Sequence, residues 1–273
     1  MKNHIQSPLP FQGQKRRFVN EFKAALKQFS DATVFVDLFG GSGLLSHIVK
    51  QERPDCRVIY NDFDDYHVRI ENMSRTNKLL SDIRVLLATT EADKKVSELV
   101  KKAVLERIKQ DEKGGFVDYI TLSSSLLFSM NYATNYAEMS KQTLYNKLRL
   151  SEYNADGYLD GIEVVKQDYR DLFRVWYPHP DVVFLVDPPY LSTDVSTYSC
   201  YWKLGDYLDV LQVLQGTNYF YFTSNKSSIL EFCRWMEINL KADNPFHGAI
   251  KKECAQNVTH ISRYTDIMLY KHK

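Results

Sequence analysis

Apolar residues fall in short unbroken runs along this chain, and small or turn-forming residues follow each run. Val182-Val183-Phe184-Leu185-Val186 is one such run. A stretch with no polar interruption marks a strand covered on both faces, as in a parallel sheet. "TVFVDLF" (Thr33 to Phe39), "RVIYND" (Arg57 to Asp62), "IEVVKQD" (162–168), "TNYFYFTSN" (217–225) and "RYTDIMLYKH" (263–272) read as further strands. Apolar residues at helical spacing predict helices over Arg17 to Phe29, Leu44 to about Gln51 and Ser227 to Met236. Strands alternating with helices predict an α/β fold: a doubly wound parallel sheet with helices on both faces.

The texture changes between residues 64 and 160. Strand signals nearly vanish, and the spacing predicts long helices over Glu91 to Gln110 and Val117 to Asn131. "SEYNADGYLDG" (151–161) is rich in turn formers and closes this stretch. The expected organisation is one α/β domain, residues 1–63 and 161–273, interrupted by a mostly helical insertion at 64–160.

Composition narrows the class. Of 273 residues, 44% are apolar and 25% charged, ordinary for a globular chain. No apolar run has the length of a membrane span and no signal-peptide pattern opens the chain, so a soluble, intracellular protein is expected. Cys56, Cys200, Cys233 and Cys254 are scattered and read as reduced, structural thiols. The seven histidines form no ligand cluster, and no metal is predicted. Net charge is +1, less basic than a dedicated nucleic-acid binder often is. Basic patches occur at Lys15-Arg16-Arg17, Lys101-Lys102, Lys141 to Arg149 and Lys251-Lys252; each alone reads as a solvated face.

The candidate chemistry lies at strand ends. "GGSG" (Gly40 to Gly43) follows the first strand. Its small residues let backbone amides and a helix N-terminus approach a ligand, although a tight strand-to-helix turn accounts for it equally. The spacing is not that of a phosphate-clamping loop, so a nucleoside without phosphates fits better. Asp62 ends the second strand, where an acid can take ribose hydroxyls or cap the next helix. With the glycine loop upstream, the ribose role is the expectation. Asp168-Tyr169 ends another strand and either holds a purine or begins a helix. Asp187-Pro188-Pro189-Tyr190 ends the most apolar run. Two prolines stop the hydrogen-bond ladder and stiffen a corner that carries an acid and a ring.

In this order, these motifs resemble the Dam-like, α-group DNA adenine N6-methyltransferases. The family's aromatic-x-Gly-x-Lys element corresponds to Phe11, Gly13 and Lys15, its Phe-x-Gly-x-Gly to Phe39, Gly41 and Gly43, its strand-end acid to Asp62, and its Asp-Pro-Pro-Tyr to Asp187 to Tyr190. Ser224-Asn225 matches a serine-asparagine pair that often follows the next strand. Phe11 replaces a frequent tryptophan, Gln14 a frequent glycine, and Asp37-Leu38 the common Glu-Pro. The resemblance implies a Rossmann-like S-adenosylmethionine-dependent methyltransferase sheet and a target-recognition role for the insertion. It implies cofactor contacts at Phe11, Gly13, Lys15, Asp37, Phe39, Gly41, Gly43, Asp62, Asp168 and Tyr169. Double-stranded DNA is the implied partner, a cognate restriction endonuclease an associated one, and the prokaryotic or phage-type cytoplasm, on the nucleoid, the implied location.

The chemistry follows. An adenine amine is a poor nucleophile because its lone pair is spread into the ring. If Asp187 accepts one N–H and the Pro188 carbonyl the other, that lone pair is concentrated towards a sulfonium methyl. The base must leave the duplex, and Tyr190 can stack on it. No general base is needed. Lys141, Lys147 and Arg149 are candidate phosphate contacts, while Tyr132, Tyr136, Tyr145 and Tyr153 mostly read as core. Competing readings are methylation of RNA adenine or of cytosine N4, and a non-catalytic DNA-binding module. Cytosine enzymes usually carry serine, and many RNA enzymes asparagine, where Asp187 stands.

Overall fold

The computed structural model describes residues 4–129, 131–190, 202–257 and 263–273. Among these the strands are β1 (Val34–Asp37), β2 (Arg57–Asn61), β3 (Glu163–Val165), β4 (Val182–Val186), β5 (Asn218–Ser224), β6 (Ile250–Asn257) and β7 (Arg263–Lys271). The helices are α1 (Val19–Leu26), α2 (Leu44–Glu52), α3 (Tyr66–Glu71), α4 (Met73–Leu86), α5 (Glu98–Lys113), α6 (Tyr119–Leu126), α7 (Tyr136–Lys141), α8 (Tyr169–Trp176), α9 (Leu204–Leu214) and α10 (Ile229–Leu240).

The strands make one sheet in the order β3-β2-β1-β4-β5-β7-β6. β1 to β5 run parallel. The sheet is mixed rather than wholly parallel, because β7 pairs antiparallel with β5 and β6 antiparallel with β7. The chain builds outwards from β1 in both directions, so the order reverses between β1 and β4. Ligands of doubly wound sheets bind beyond the carboxyl ends of the strands at such a point.

Period-2 alternation divides β4 between two cores. Val183 and Leu185 join Phe22, Ile48, Val49 and Phe220 beneath α1 and α2. Val182, Phe184 and Val186 join Leu172, Val210 and Ile229 beneath α8, α9 and α10. All five β4 residues are buried. At roughly 1.5–3 kcal/mol for each large side chain fully buried, this strand is firmly anchored on both faces.

The helices α3 to α7 lie between β2 and β3. Leu79, Ile83, Val104, Ile108, Leu122, Leu126 and Met139 give α4 to α7 a core of their own. The ends of α5 and α6 differ from the spacing-based reading. α5 begins at Glu98, where the Ser97 hydroxyl accepts from the Val100 amide at 3.4 Å. α6 begins at Tyr119, where the Asp118 carboxylate accepts from the Thr121 amide at 3.0 Å. Capping residues, rather than apolar periodicity, set both starts. Cys56 and Cys233 are buried free thiols and Cys254 is half-buried; Cys200 lies outside the described residues. No described helix is long and apolar enough to cross a membrane.

Candidate active site

Asp37 lies opposite Leu185 in the β1–β4 register, so β1 and β4 release their chains side by side. A cavity of about 640 Å³ opens at this edge, within the size range of pockets for small organic ligands. Phe11, Gly13 and Lys15 reach it from the N-terminal segment, and Phe39 and Gly41 from the turn after β1. Asp168 and Tyr169 reach it from the start of α8, and Asp187 to Tyr190 from the end of β4. Four segments far apart in sequence thus meet around one space.

The glycine turn is shaped by its neighbours. A Cβ on Gly40 would stand 2.1 Å from a Tyr60 ring carbon. Gly41 has φ +50°, and a Cβ there would meet the Phe11 ring at 3.0 Å. Glycine is therefore needed at Gly40 for close approach and favoured at Gly41 by the backbone. The Tyr60 hydroxyl donates to the Gly41 carbonyl at 2.7 Å, and the Tyr158 hydroxyl to the Ser42 carbonyl at 3.0 Å. The Tyr158 ring stacks on His47 of α2 at 4.5 Å, and His47 Nδ1–H donates to the Tyr158 carbonyl at 2.6 Å. Burial lowers the His47 pKa to about 4, so this imidazole is neutral at pH 7. The turn-rich stretch before β3 thus braces the loop after β1.

Three expected cofactor residues do not line the cavity: Asp37, Gly43 and Asp62. Asp62 is fully buried. Its carboxylate accepts from the Tyr66 amide at 2.8 Å, the His67 amide at 2.7 Å and His67 Nδ1 at 2.6 Å. The structure places it on the first turn of α3, where four backbone N–H groups would otherwise lack partners. Gly43 is the N-cap of α2, with φ 70°. Asp37 is 1% exposed; its Oδ2 accepts from the Ser46 hydroxyl at 2.7 Å, and its Oδ1 is buried without a hydrogen-bond partner among the described residues. Burial, with the Asp187 charge nearby, pushes the Asp37 pKa up to about 7, although Ser46 opposes the shift.

The cavity also holds residues that the sequence did not single out. Trp202 stacks on Tyr169 with ring centroids 5.9 Å apart and 17° between planes, and Phe39 lies 4.8 Å from Tyr169. Arg170 is held by Asp206 at 2.7 Å and by Asp209 at 2.9 Å. Tyr264 and Asp266 of β7 close another side. Asp187 is ion-paired with Lys15, and their side chains are 18% and 8% exposed. Burial raises the Asp187 pKa, the Lys15 charge opposes this, and Asp266 adds to it. Ser224 is buried at the end of β5, and the Asn225 side chain accepts from the Thr265 amide at 2.8 Å, which holds β7.

Lys141, Lys147 and Arg149 lie outside the cavity. Lys147 meets the Ser129 hydroxyl at 3.2 Å, and Arg149 meets that of Ser151 at 2.7 Å. Tyr136 and Tyr153 pack against the helical core, while Tyr132 is 38% exposed. Among the described residues no group of three or more His, Cys, Asp or Glu side chains is arranged to hold a metal ion.

A sequence model of the D12 class N6 adenine-specific DNA methyltransferases matches residues 11–222. This chain belongs to that family. The matched span runs from Phe11, at the cavity's N-terminal wall, to Phe222 in β5. It therefore includes the glycine turn, the α3–α7 helices and Asp187 to Tyr190. A Haemophilus influenzae protein named "Putative methyltransferase" is 33% identical over 280 residues, covering 99% of this chain and 93% of that one. An rRNA methylase from Streptococcus thermophilus covers 97% of this chain and 100% of its own, at 10% identity and TM-score 0.35. A precorrin-6y C5,15-methyltransferase from Geobacter metallireducens covers 99% and 100%, at 9% identity and TM-score 0.36. The family match and the strand order carry the assignment of a methyltransferase α/β fold; at these TM-scores the two solved structures add nothing to it.

Proposed function

We propose that this D12-class methyltransferase moves a methyl group from S-adenosylmethionine to N6 of an adenine extruded from double-stranded DNA at a defined sequence. The observation that carries this reading is the placement of Asp187 to Tyr190. The tetrapeptide ends a strand buried on both faces and opens into the cavity that Phe11, Phe39, Gly41 and Tyr169 line.

The residues suit that cofactor. Phe39, Tyr169 and Trp202 supply ring faces for a purine. Asp168 and Asp206 line the cavity, and Asp37 adds a buried carboxyl with one unpartnered oxygen. Carboxyl oxygens accept from an ammonium and attract positive charge, which suits a ligand with a cationic ammonium and a cationic sulfonium. Phe11, Gly13, Phe39, Gly41, Asp168 and Tyr169 would hold it, and Asp37 would act beneath the loop. Bound there, S-adenosylmethionine supplies a methyl on a positively charged sulfur.

The protein's part is to present the nucleophile. Asp187 accepts one N–H of the adenine amine and the Pro188 carbonyl accepts the other, which draws the lone pair out of the ring. Pro188 and Pro189 restrict the corner so that little reorganisation is needed during transfer. Tyr190 stacks on the flipped base, worth on the order of 1–3 kcal/mol. Residues 64–160 would read the DNA target, with Lys141, Lys147 and Arg149 on phosphates, while 1–63 and 161–273 would carry the chemistry.

The test is transfer of labelled methyl from S-adenosylmethionine to DNA and to RNA, followed by digestion to nucleosides. N6-methyladenine in DNA alone supports the reading. Methylcytosine, or label in RNA alone, refutes it. Asp187→Ala is expected to abolish transfer and to keep cofactor binding; undiminished transfer would remove Asp187 from its role.

A further inference from the structure

The contact that bears most directly on the reacting group is the pairing of Lys15 with Asp187. The sequence placed Lys15 among the cofactor contacts, through its position after Gly13. The structure puts its ammonium on Asp187 Oδ2, with a second hydrogen bond to the Gly13 carbonyl at 2.7 Å. The same ammonium stands 5.5 Å from the centre of the Tyr190 ring. A lysine this buried is rare unless paired, because an unpaired ammonium loses its water without compensation.

Asp187 needs a cation. Asp37 faces it from the end of β1, Asp266 from β7, and Tyr221 from β5. Tyr190 sits on its own corner, and Arg17 and Tyr264 line the same cavity. Burial and the Asp266 carboxyl both disfavour a charged Asp187. A protonated Asp187 would carry a donor on one oxygen and would be a poor acceptor for an amine N–H. A carboxylate has two acceptor oxygens, so an ammonium on Oδ2 still leaves Oδ1 for the amine.

We propose that Lys15 is a positioning residue that keeps Asp187 ionised, fixes the carboxylate's orientation, and leaves Oδ1 to receive the substrate amine. This deepens the amine-methylation reading and rests on it for the identity of the substrate. The Gly13 carbonyl holds the ammonium in place, so the short N-terminal segment acts on the reacting group as well as on the cavity wall. No bond to Lys15 is made or broken in the transfer.

The experiment uses the full chain with Lys15→Met, Lys15→Gln and Lys15→Arg. Carbon-13 carboxyl resonances of labelled aspartates, with Asp187 assigned through Asp187→Asn, are followed against pH. Asp187 is expected to titrate about one pH unit or more higher in Lys15→Met and Lys15→Gln than in the wild type, and near the wild-type position in Lys15→Arg. In turnover at saturating DNA and S-adenosylmethionine, the acid limb of kcat is expected to move up by the same interval, and kcat on that limb, below both midpoints, to fall about tenfold or more. Cofactor affinity by calorimetry is expected to stay within about threefold, since the charge acts through Asp187. An unmoved Asp187 titration in a folded Met or Gln variant overturns the proposal, whatever happens to cofactor affinity. The resonance measurement needs no turnover. A wild type that methylates no DNA adenine therefore defeats the substrate reading, while the titration still decides the role of Lys15.

Discussion

Asp118, the N-cap of α6, accepts from Arg69 Nε of α3 at 3.0 Å, with side chains 1% and 6% exposed. The same guanidinium donates to the Pro10 carbonyl at 2.8 Å, one residue before Phe11. A single arginine thus ties two helices to the start of the cavity wall. Removing one partner of a buried pair leaves an uncompensated charge, which costs on the order of 3–5 kcal/mol. Arg69→Met is expected to lower the unfolding free energy by about that much in a denaturant titration. A loss within the roughly ±0.5 kcal/mol usual for surface changes would refute the role.

Gly40→Ala tests the packing of the glycine turn. The new methyl would enter the buried Tyr60 ring, at 2.1 and 2.2 Å from two of its carbons. Overpacking typically costs about 1–3 kcal/mol, and the Tyr60 ring is buried with its hydroxyl held by the Gly41 carbonyl. A drop in melting temperature together with weaker cofactor binding is expected. Gly40→Ala with Tyr60→Leu should regain part of the stability, because the second change vacates the space; a strictly additive double variant would count against the contact.

Asp37 gives a pH test. Its folded pKa of about 7 lies above the usual carboxyl value, chiefly through burial. The folded chain therefore holds this proton more tightly than the unfolded chain between about pH 4 and pH 7. The stabilisation is complete below that window and is lost as pH rises through it. Asp37→Asn removes this dependence. The melting temperature of the variant relative to wild type should rise from pH 4 to pH 8, while its affinity for S-adenosylmethionine falls. A constant difference across the window would show that Asp37 does not titrate there.

Tyr190→Ala tests the stacking role in the proposed reaction. On duplex DNA carrying the adenine target, kcat/KM is expected to fall by the equivalent of about 1–3 kcal/mol. Cofactor affinity should be unchanged. A variant with wild-type kcat/KM would place the flipped base elsewhere.

What the sequence revealed follows from burial. β1, β4 and β5 were legible because strands covered on both faces need unbroken apolar runs. β6 was not, since Lys251, Lys252 and Glu253 are exposed on an edge strand and break any such run. β7 read as a strand, but its direction depends on pairing with β5, which no local pattern encodes. The four motif segments were legible because each sits at an element boundary. Asp62 shows the limit: an acid between a strand and a helix suits a ribose or a helix N-terminus, and the fold puts it on α3. Trp202, Tyr264 and Asp266 join the cavity through tertiary placement alone. Lys15 carried a motif signal, but its partner could be known only once the N-terminal segment and the end of β4 were brought together.

The excursion through α3 to α7 departs from β2 and comes back at β3, which are neighbours at the margin of the sheet. The chain enters and leaves it at that margin, and Arg69 and Tyr66 of α3 also hold Pro10 and Leu9 of the N-terminal segment. Lengthening a turn between these helices is therefore expected to leave the register of β1 and β4 untouched, whereas a change at Arg69 would reach the cavity wall.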